Sequence, residues 1–438
     1  MSTKPEPRPS TVVTRREFLA LLGLTTTVAA LPAMRGLDGS SAEAARRKTK
    51  AASSGKRKVV PEGPVVPGRP VAGPRVLVVI ELQGGNDGFS MLVPSGDGRF
   101  RQLRDRAWLN PKDLTRLDDR YSIAAGLAPL ATRLAFVEGV GVSKPDFSHT
   151  AMMTRWWQGD PDGSGTSRTG FLGRCCDLLD TGSPVVGVSV GGGATPALLS
   201  AKAPTVALPG LDSLRELTND RDDRMRATMA SLTDGGGESA GLESVDSDLL
   251  ARARTGLSSG LTLLNGLGGI TGKSAKYPDN NRLASALGLA RELVSLNVGV
   301  RVIHVPWGSF DTHTGHAWAH PEQMRQLGAA LTAFHNDLVR SGLSDRVLVA
   351  TTSEFGRRPQ ANAGGTDHGA ASTALVLGPV RAGRHGAPVN FAQLDQSGNV
   401  AATVSMADYY ATLAAWLGVP PGEVLSSPGA VLGSLGFA

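Results

Sequence analysis

Carboxylates and imidazoles recur in short glycine-bearing segments that lie far apart along the chain. Asp87 sits in Gly84-Gly85-Asn86-Asp87-Gly88. Asp311, His313 and His316 fall between Trp307 and His316, Glu354 follows Ser353, and Asp367 and His368 lie between Gly365 and Gly369. Carboxylate oxygens and neutral imidazole nitrogens are ligands for zinc, manganese, magnesium or calcium, so these residues are candidate ligands of a divalent metal ion. Ser148 and Thr150, in Asp146-Phe-Ser-His-Thr150, are candidate nucleophiles. A cation nearby lowers a hydroxyl's pKa towards attack on phosphorus or sulfur. Ser148 also reads as a helix cap, and one residue can fill both roles. Arg357, with Arg358 beside it, is suited to balance the charge of a bound anion.

These groups need a scaffold that gathers distant loops. Arg75–Leu82 is a near-continuous apolar, β-branched run, as a strand covered on both faces of a parallel sheet requires. Comparable runs recur at 134–140, 185–190, 299–305, 346–351 and 373–377. Helical patterns separate them at 148–158, 171–179, 281–296, 321–338 and 405–417. Alternation of this kind predicts an α/β fold with a doubly wound, mostly parallel sheet and helices on both faces. In such sheets ligands bind outside the carboxyl ends of the strands, where the candidate groups fall. Residues 212–275 break the rhythm and read as a helical insertion or lid on a single domain spanning 75–438. Gly187–Gly193 reads as a strand end and turn, not a dinucleotide fingerprint.

The chain has 438 residues and a net charge of +6. Residues 1–75 hold 14 Lys/Arg and 5 Asp/Glu, which leaves 31 basic and 34 acidic residues beyond them. The basicity belongs to the N-terminal arm, and the remainder gives no support for nucleic-acid binding. Arg15-Arg16-Glu-Phe-Leu19 precedes an uncharged run to Met34 and a small-residue site at Ala42-Glu-Ala44. That order predicts a twin-arginine signal over 1–44, read by the twin-arginine translocon, with the product periplasmic, wall-associated or extracellular. The apolar run of 16 residues is short for a spanning helix, and no later segment is long enough. Residues 45–74 read as a basic Pro/Gly-rich disordered linker. The cysteines, Cys175 and Cys176, are neighbours that cannot staple distant segments; one is expected to face the core.

Taken together the motifs resemble the exported "domain of unknown function 1501" family. They are the twin-arginine leader, Leu82-Gln-Gly-Gly-Asn-Asp-Gly88, Phe147-Ser-His149, Phe310-Asp-Thr-His313, Thr352-Ser-Glu-Phe-Gly-Arg-Arg358 and Gly365-Thr-Asp-His-Gly369. The resemblance runs from about Arg75 to Leu417. That family is in turn similar to the alkaline phosphatase and sulfatase superfamily, α/β hydrolases that use one or two metal ions on phosphate or sulfate esters. The resemblance implies metal ligation by Asp87, and by Asp311 with His313 or His316. It places Ser148 near the nucleophile, with Thr150 as rival. Where the superfamily carries an Asp-His ligand pair this chain reads Glu354-Phe355, and Phe355 cannot bind metal. His368 then stands as the late histidine, or Asp367-His368 is the ligand pair displaced along the chain. The implied function is an exported metal-dependent hydrolase of a small-molecule or glycan ester. The alternative is a non-catalytic exported protein that binds metal or glycan at a degenerate hydrolase site.

Overall fold

The computed structural model describes residues 73–104, 110–210, 258–260, 262–263, 266, 276–427 and 429–437. The expected leader, the linker through residue 72 and nearly all of 212–275 lie outside the described residues.

In chain order the strands are β1 (Val76–Leu82), β2 (Leu92–Val93), β3 (Leu114–Arg116), β4 (Ser122–Ala124), β5 (Leu134–Gly141), β6 (Gly187–Val190) and β7 (Thr205–Leu208). They continue with β8 (Val302–Trp307), β9 (Val347–Thr352), β10 (Gly356–Ala361), β11 (Thr366–Gly369), β12 (Ala371–Leu377), β13 (Gly383–His385) and β14 (Val404–Ser405). Nine of them form the central sheet in the order β13-β5-β12-β9-β1-β8-β6-β7, with β14 beside β5. β1 is parallel to both neighbours, pairing Leu77 with Val302 and with Leu348. It therefore lies inside the sheet, and all seven of its residues are buried.

Strand alternation divides this burial between two cores. Val76, Val78, Ile80 and Leu82 face helices α3 (Arg282–Leu296) and α4 (His316–Arg340) through Leu287, Leu331 and Phe334. Leu77 and Val79 face α1 (His149–Gln158), α2 (Phe171–Leu179) and α5 (Met406–Leu417) through Met152, Phe171 and Tyr409. Helices thus cover both faces of a mostly parallel sheet. The caps follow the side chains: Ser148, Asn281 and Ser405 each accept a hydrogen bond from a first-turn N–H. No helix among the described residues is long and apolar enough to cross a membrane.

Four local expectations need correction. β12 runs antiparallel to both β5 and β9, because it returns directly from the β10–β11 hairpin instead of crossing over through a helix. The segments around Arg357 and His368, read as loops, are the two arms of that hairpin. α4 begins at His316, not Pro321; the proline lies inside its second turn, where the missing N–H forgoes a single backbone bond. Finally, Cys175 and Cys176 are both buried, since α2 is packed on more than one side; both remain free thiols.

Candidate metal centre at the strand ends

β8 ends at Trp307, and the turn from there into α4 carries Asp311 and His313. The turn after β1 packs directly against it. Gly84 and Gly85 have φ of +107° and +81°, and a Cβ on Gly84 would stand 2.4 Å from the Asp311 nitrogen. A Cβ on Gly85 would stand 2.3 Å from the Phe355 ring, so glycine is required at both positions. The two turns are tied by Phe310 N–H donating to the Gln83 carbonyl at 2.7 Å.

Arg357 locks this corner. Its fully buried guanidinium donates to the carbonyls of Gly85 (2.7 Å), Thr366 (2.8 Å), Phe310 (2.9 Å) and Gly84, and to Asp311 Oδ1 (2.8 Å). The expectation that Arg357 meets a substrate anion is therefore corrected: its donors are committed to backbone and to Asp311, which it positions. Burial works to raise the Asp311 pKa. The hydrogen bond and charge of Arg357, with His368 beside it, outweigh that and hold the carboxyl below its usual range.

Three imidazoles surround Asp311. His149 Nε2 stands 3.4 Å from Oδ2, while His313 Nε2 and His368 Nε2 each stand 3.2 Å from Oδ1. In every ring the other nitrogen faces an oxygen. His149 Nδ1 lies 2.9 Å from Glu354 Oε1, His313 Nδ1 3.3 Å from Asp367 Oδ1, and His368 Nδ1 2.8 Å from the Phe147 carbonyl. Carboxylates and carbonyls only accept, so a hydrogen on each Nδ1 satisfies the outer partner. A ring in that neutral tautomer turns an Nε2 lone pair towards Asp311, itself only an acceptor, an arrangement that calls for a cation between them. His313 Nε2 and His368 Nε2 are 2.9 Å apart. Two lone pairs at that separation repel unless a proton or a cation lies between them.

The donor set fits a divalent ion. Ligand atoms from His149, Asp311 and His368 all lie within 4.8 Å of one another. Atoms sharing one zinc-sized ion at roughly 2.0–2.1 Å each stand about 3–4 Å apart. An outer acceptor on the second nitrogen of each ring is the usual companion of a metal-bound histidine. The His149 pKa is raised, first by the Glu354 hydrogen bond, against the opposing effect of burial. That of His368 is lowered, first by burial. The side chains of Asp311, His149 and His313 are 44 %, 36 % and 43 % exposed, so the group opens to solvent.

Asp311, His313 and His368 are thus brought together, with Glu354 and Asp367 one step behind the rings. Asp87 and His316 are not. Asp87 caps the turn Gly88–Met91 and pairs with Arg104 at 2.7 Å, both side chains fully buried. His316 Nε2 lies 3.1 Å from Asp87 Oδ2, and its Nδ1 2.7 Å from Thr312 Oγ1. These two belong to a separate buried network. Burial works to raise the Asp87 pKa, but the Arg104 charge leaves it well below the usual range. Ser148 and Thr150 flank His149 in exposed positions. Ser148 Oγ accepts from Ala151 N–H at 3.5 Å, and neither hydroxyl is hydrogen-bonded to the Asp311 group.

His149 escaped the sequence-derived ligand set, although it stands in the same Phe-Ser-His segment as Ser148; its place at a strand–helix junction was the available signal. Phe355 takes no metal but stacks on His368 at 4.0 Å and leans on His149 at 4.9 Å, an apolar wall that orients both rings. Arg104 carried no sequence signal at all.

A family model described as "Protein of unknown function (DUF1501)" matches residues 135–433. No curated protein matches the chain. Among solved structures it is similar to a phosphonate monoester hydrolase of Agrobacterium radiobacter, with 11% identity and a TM-score of 0.39 over 83% of this chain and 77% of that one. It is also similar to a sulfatase from Pseudoalteromonas sp., with 12% identity and a TM-score of 0.35 over 82% and 70%. The TAB5 alkaline phosphatase shares 10% identity at a TM-score of 0.34 over 69% of this chain and 90% of that one.

Proposed function

The chain belongs to the DUF1501 family of proteins of unknown function, and from that premise we propose that it is an exported, metal-dependent hydrolase of phosphate or sulfate esters. The observation that carries the reading is the arrangement of three imidazole Nε2 atoms on one carboxylate, each ring anchored from behind through Nδ1. A set of three histidines and an aspartate suits a borderline ion such as zinc better than calcium or magnesium, which prefer all-oxygen sites. When bound, such an ion supplies Lewis acidity to an ester oxygen and lowers the pKa of an attacking hydroxyl or water.

The chain's own residues do the rest. Asp311, held by Arg357, sets the position of the ligand group, and Glu354 and Asp367 keep His149 and His313 in one tautomer. Phe355 shields one side of two rings from water. Ser148 is the attacking hydroxyl in this reading, one residue from His149, with Thr150 its rival on the other side. Export by the twin-arginine route suits a site assembled from loops more than 150 positions apart, such as those of His149 and Asp311, because that site exists only after folding.

One observation favours the non-catalytic alternative: neither Ser148 nor Thr150 is hydrogen-bonded to the ligand group. The test is metal analysis of the folded protein, followed by hydrolysis of 4-nitrophenyl phosphate and 4-nitrophenyl sulfate. Stoichiometric metal with turnover lost in Asp311→Asn supports the hydrolase. Metal without turnover leaves the binding protein, and absence of metal sinks the hydrolase and leaves the alternative only its glycan-binding form. Unchanged turnover in Ser148→Ala and Thr150→Ala transfers the attack to water.

A further inference from the structure

Beside the Asp311 turn, at the carboxyl ends of β6 and β8, the described residues enclose an open groove of about 310 Å³ that the metal site does not use. That volume lies at the lower end of the range for small-molecule sites. Gln83, Arg282, Trp307, Ser309, Gln323 and Gln326 line it. The groove shares with the metal centre the turns that follow β1 and β8. Ser309 stands two residues before Asp311, and Gln83 precedes Gly84, whose N–H donates to Glu354 Oε1 at 2.8 Å.

The lining has a definite chemistry. Trp307 is partly buried and braced edge-on by Phe310 at 5.5 Å, so its indole is held in place before any ligand arrives. A braced aromatic face suits the C–H face of a sugar ring. The amides suit hydroxyls. Gln323 Nε2 donates to the Ser309 carbonyl at 2.7 Å, while its Oε1 is buried without a hydrogen-bond partner among the described residues. A buried acceptor left unpaired is costly, and a rotation of the Gln323 amide towards the groove would pair it with a ligand hydroxyl. Arg282 is exposed at the rim and has no carboxylate partner among the described residues, so it offers a positive charge to an anionic substituent.

We infer that this groove binds one sugar unit of an anionic oligosaccharide, with Trp307 under the ring, Gln323 on a hydroxyl and Arg282 on a sulfate or carboxylate group. Resting on the hydrolase reading, this makes the substrate an ester of an anionic glycan, seated so that the neighbouring unit reaches Asp311.

The test is calorimetric titration of the full folded chain with three probes: a chondroitin sulfate hexasaccharide, a hexamer of galacturonic acid and neutral maltohexaose. The two anionic arms distinguish a sulfate from a carboxylate substituent. At least one anionic probe is expected to bind about tenfold tighter than maltohexaose, and Trp307→Ala to weaken it about tenfold. Arg282→Ala, a change at an exposed helix residue that leaves folding intact, is expected to reduce the anionic preference to within about twofold. No binding by any probe, or binding indifferent to both substitutions, overturns the inference. Turnover of the nitrophenyl esters is measured separately. Turnover without oligosaccharide binding removes the groove and spares the hydrolase. Binding that depends on Trp307, with no ester turned over, keeps the groove and removes the hydrolase.

Discussion

Replacing Arg104 with methionine removes the charge that accompanies Asp87 in the interior. Both side chains are fully buried and 2.7 Å apart, so the carboxylate would be left without its cation. Breaking such a pair on one side costs about 3–5 kcal/mol. Phe89 N–H, Ser90 Oγ and His316 still contact Asp87, which places the electrostatic part near the lower end. Arg104 also donates to the carbonyls of Pro359 (2.7 Å) and Arg358 (3.2 Å), and losing those donors adds about 1–3 kcal/mol. The total is about 4–6 kcal/mol, read as a shift of the urea midpoint with an unchanged slope. Asp87→Asn in the same chain removes the stranded charge but not the orphaned carbonyls. The double variant should therefore recover about 2 kcal/mol relative to the sum of the single changes. Two results would refute the reasoning. One is a loss below about 1 kcal/mol in Arg104→Met. The other is strict additivity in the double variant together with loss of bound metal in Asp87→Asn, which would restore Asp87 to the ligand set.

Other outcomes follow from the same contacts. Glu354→Gln, which keeps the size of the side chain but weakens the anchor on His149 Nδ1, should lower metal affinity about 10–100-fold, measured by competition with a chelating dye. Phe355→Ala should cost about 3–5 kcal/mol in urea unfolding and also weaken metal binding, because the wall under His149 and His368 is lost; unchanged metal affinity would confine Phe355 to packing. Burial, with the charge of His316, pushes the His320 pKa down to about 3, against about 6.5 when unfolded. The unfolded chain then binds the extra proton, so this contribution is complete above pH 6.5 and declines by up to about 1.4 kcal/mol per pH unit as pH falls towards 3. Metal-free wild type and His320→Asn, compared by urea midpoint from pH 7 to 4, should differ in that slope. Replacing Arg15 and Arg16 with lysine should abolish export while the cytoplasmic protein stays folded and metal-loaded, checked by fractionation.

The scaffold was largely legible because burial on both faces leaves a continuous apolar run, as in Val76–Leu82, and because loops at the carboxyl ends of such strands gather polar groups. The direction of β12 was not legible, since a buried central strand is equally apolar whichever way it runs. The hairpin Gly356–Gly369 was hidden for the opposite reason: Arg-Arg-Pro-Gln has little β character, and Arg357 lies there because Asp311 and four carbonyls require its donors. The harder problem was to separate Asp311 from Asp87. Both follow glycine-bearing turns after adjacent strands, and neither Asn86-Asp87-Gly88 nor Phe310-Asp311-Thr312 says which acid a buried arginine will cover. Their fates are decided by arginines from elsewhere in the chain. Arg104 closes over Asp87, engages both of its oxygens and leaves the side chain no exposure. Arg357 approaches Asp311 through Oδ1 alone and leaves the carboxylate 44 % exposed among three inward-facing Nε2 atoms. A carboxylate already neutralised by a buried guanidinium has little left to offer a cation, whereas one held by a single oxygen is both fixed and available. That difference lies in the geometry of two guanidinium groups, and it divides the strand-end acids into a structural one and a candidate ligand.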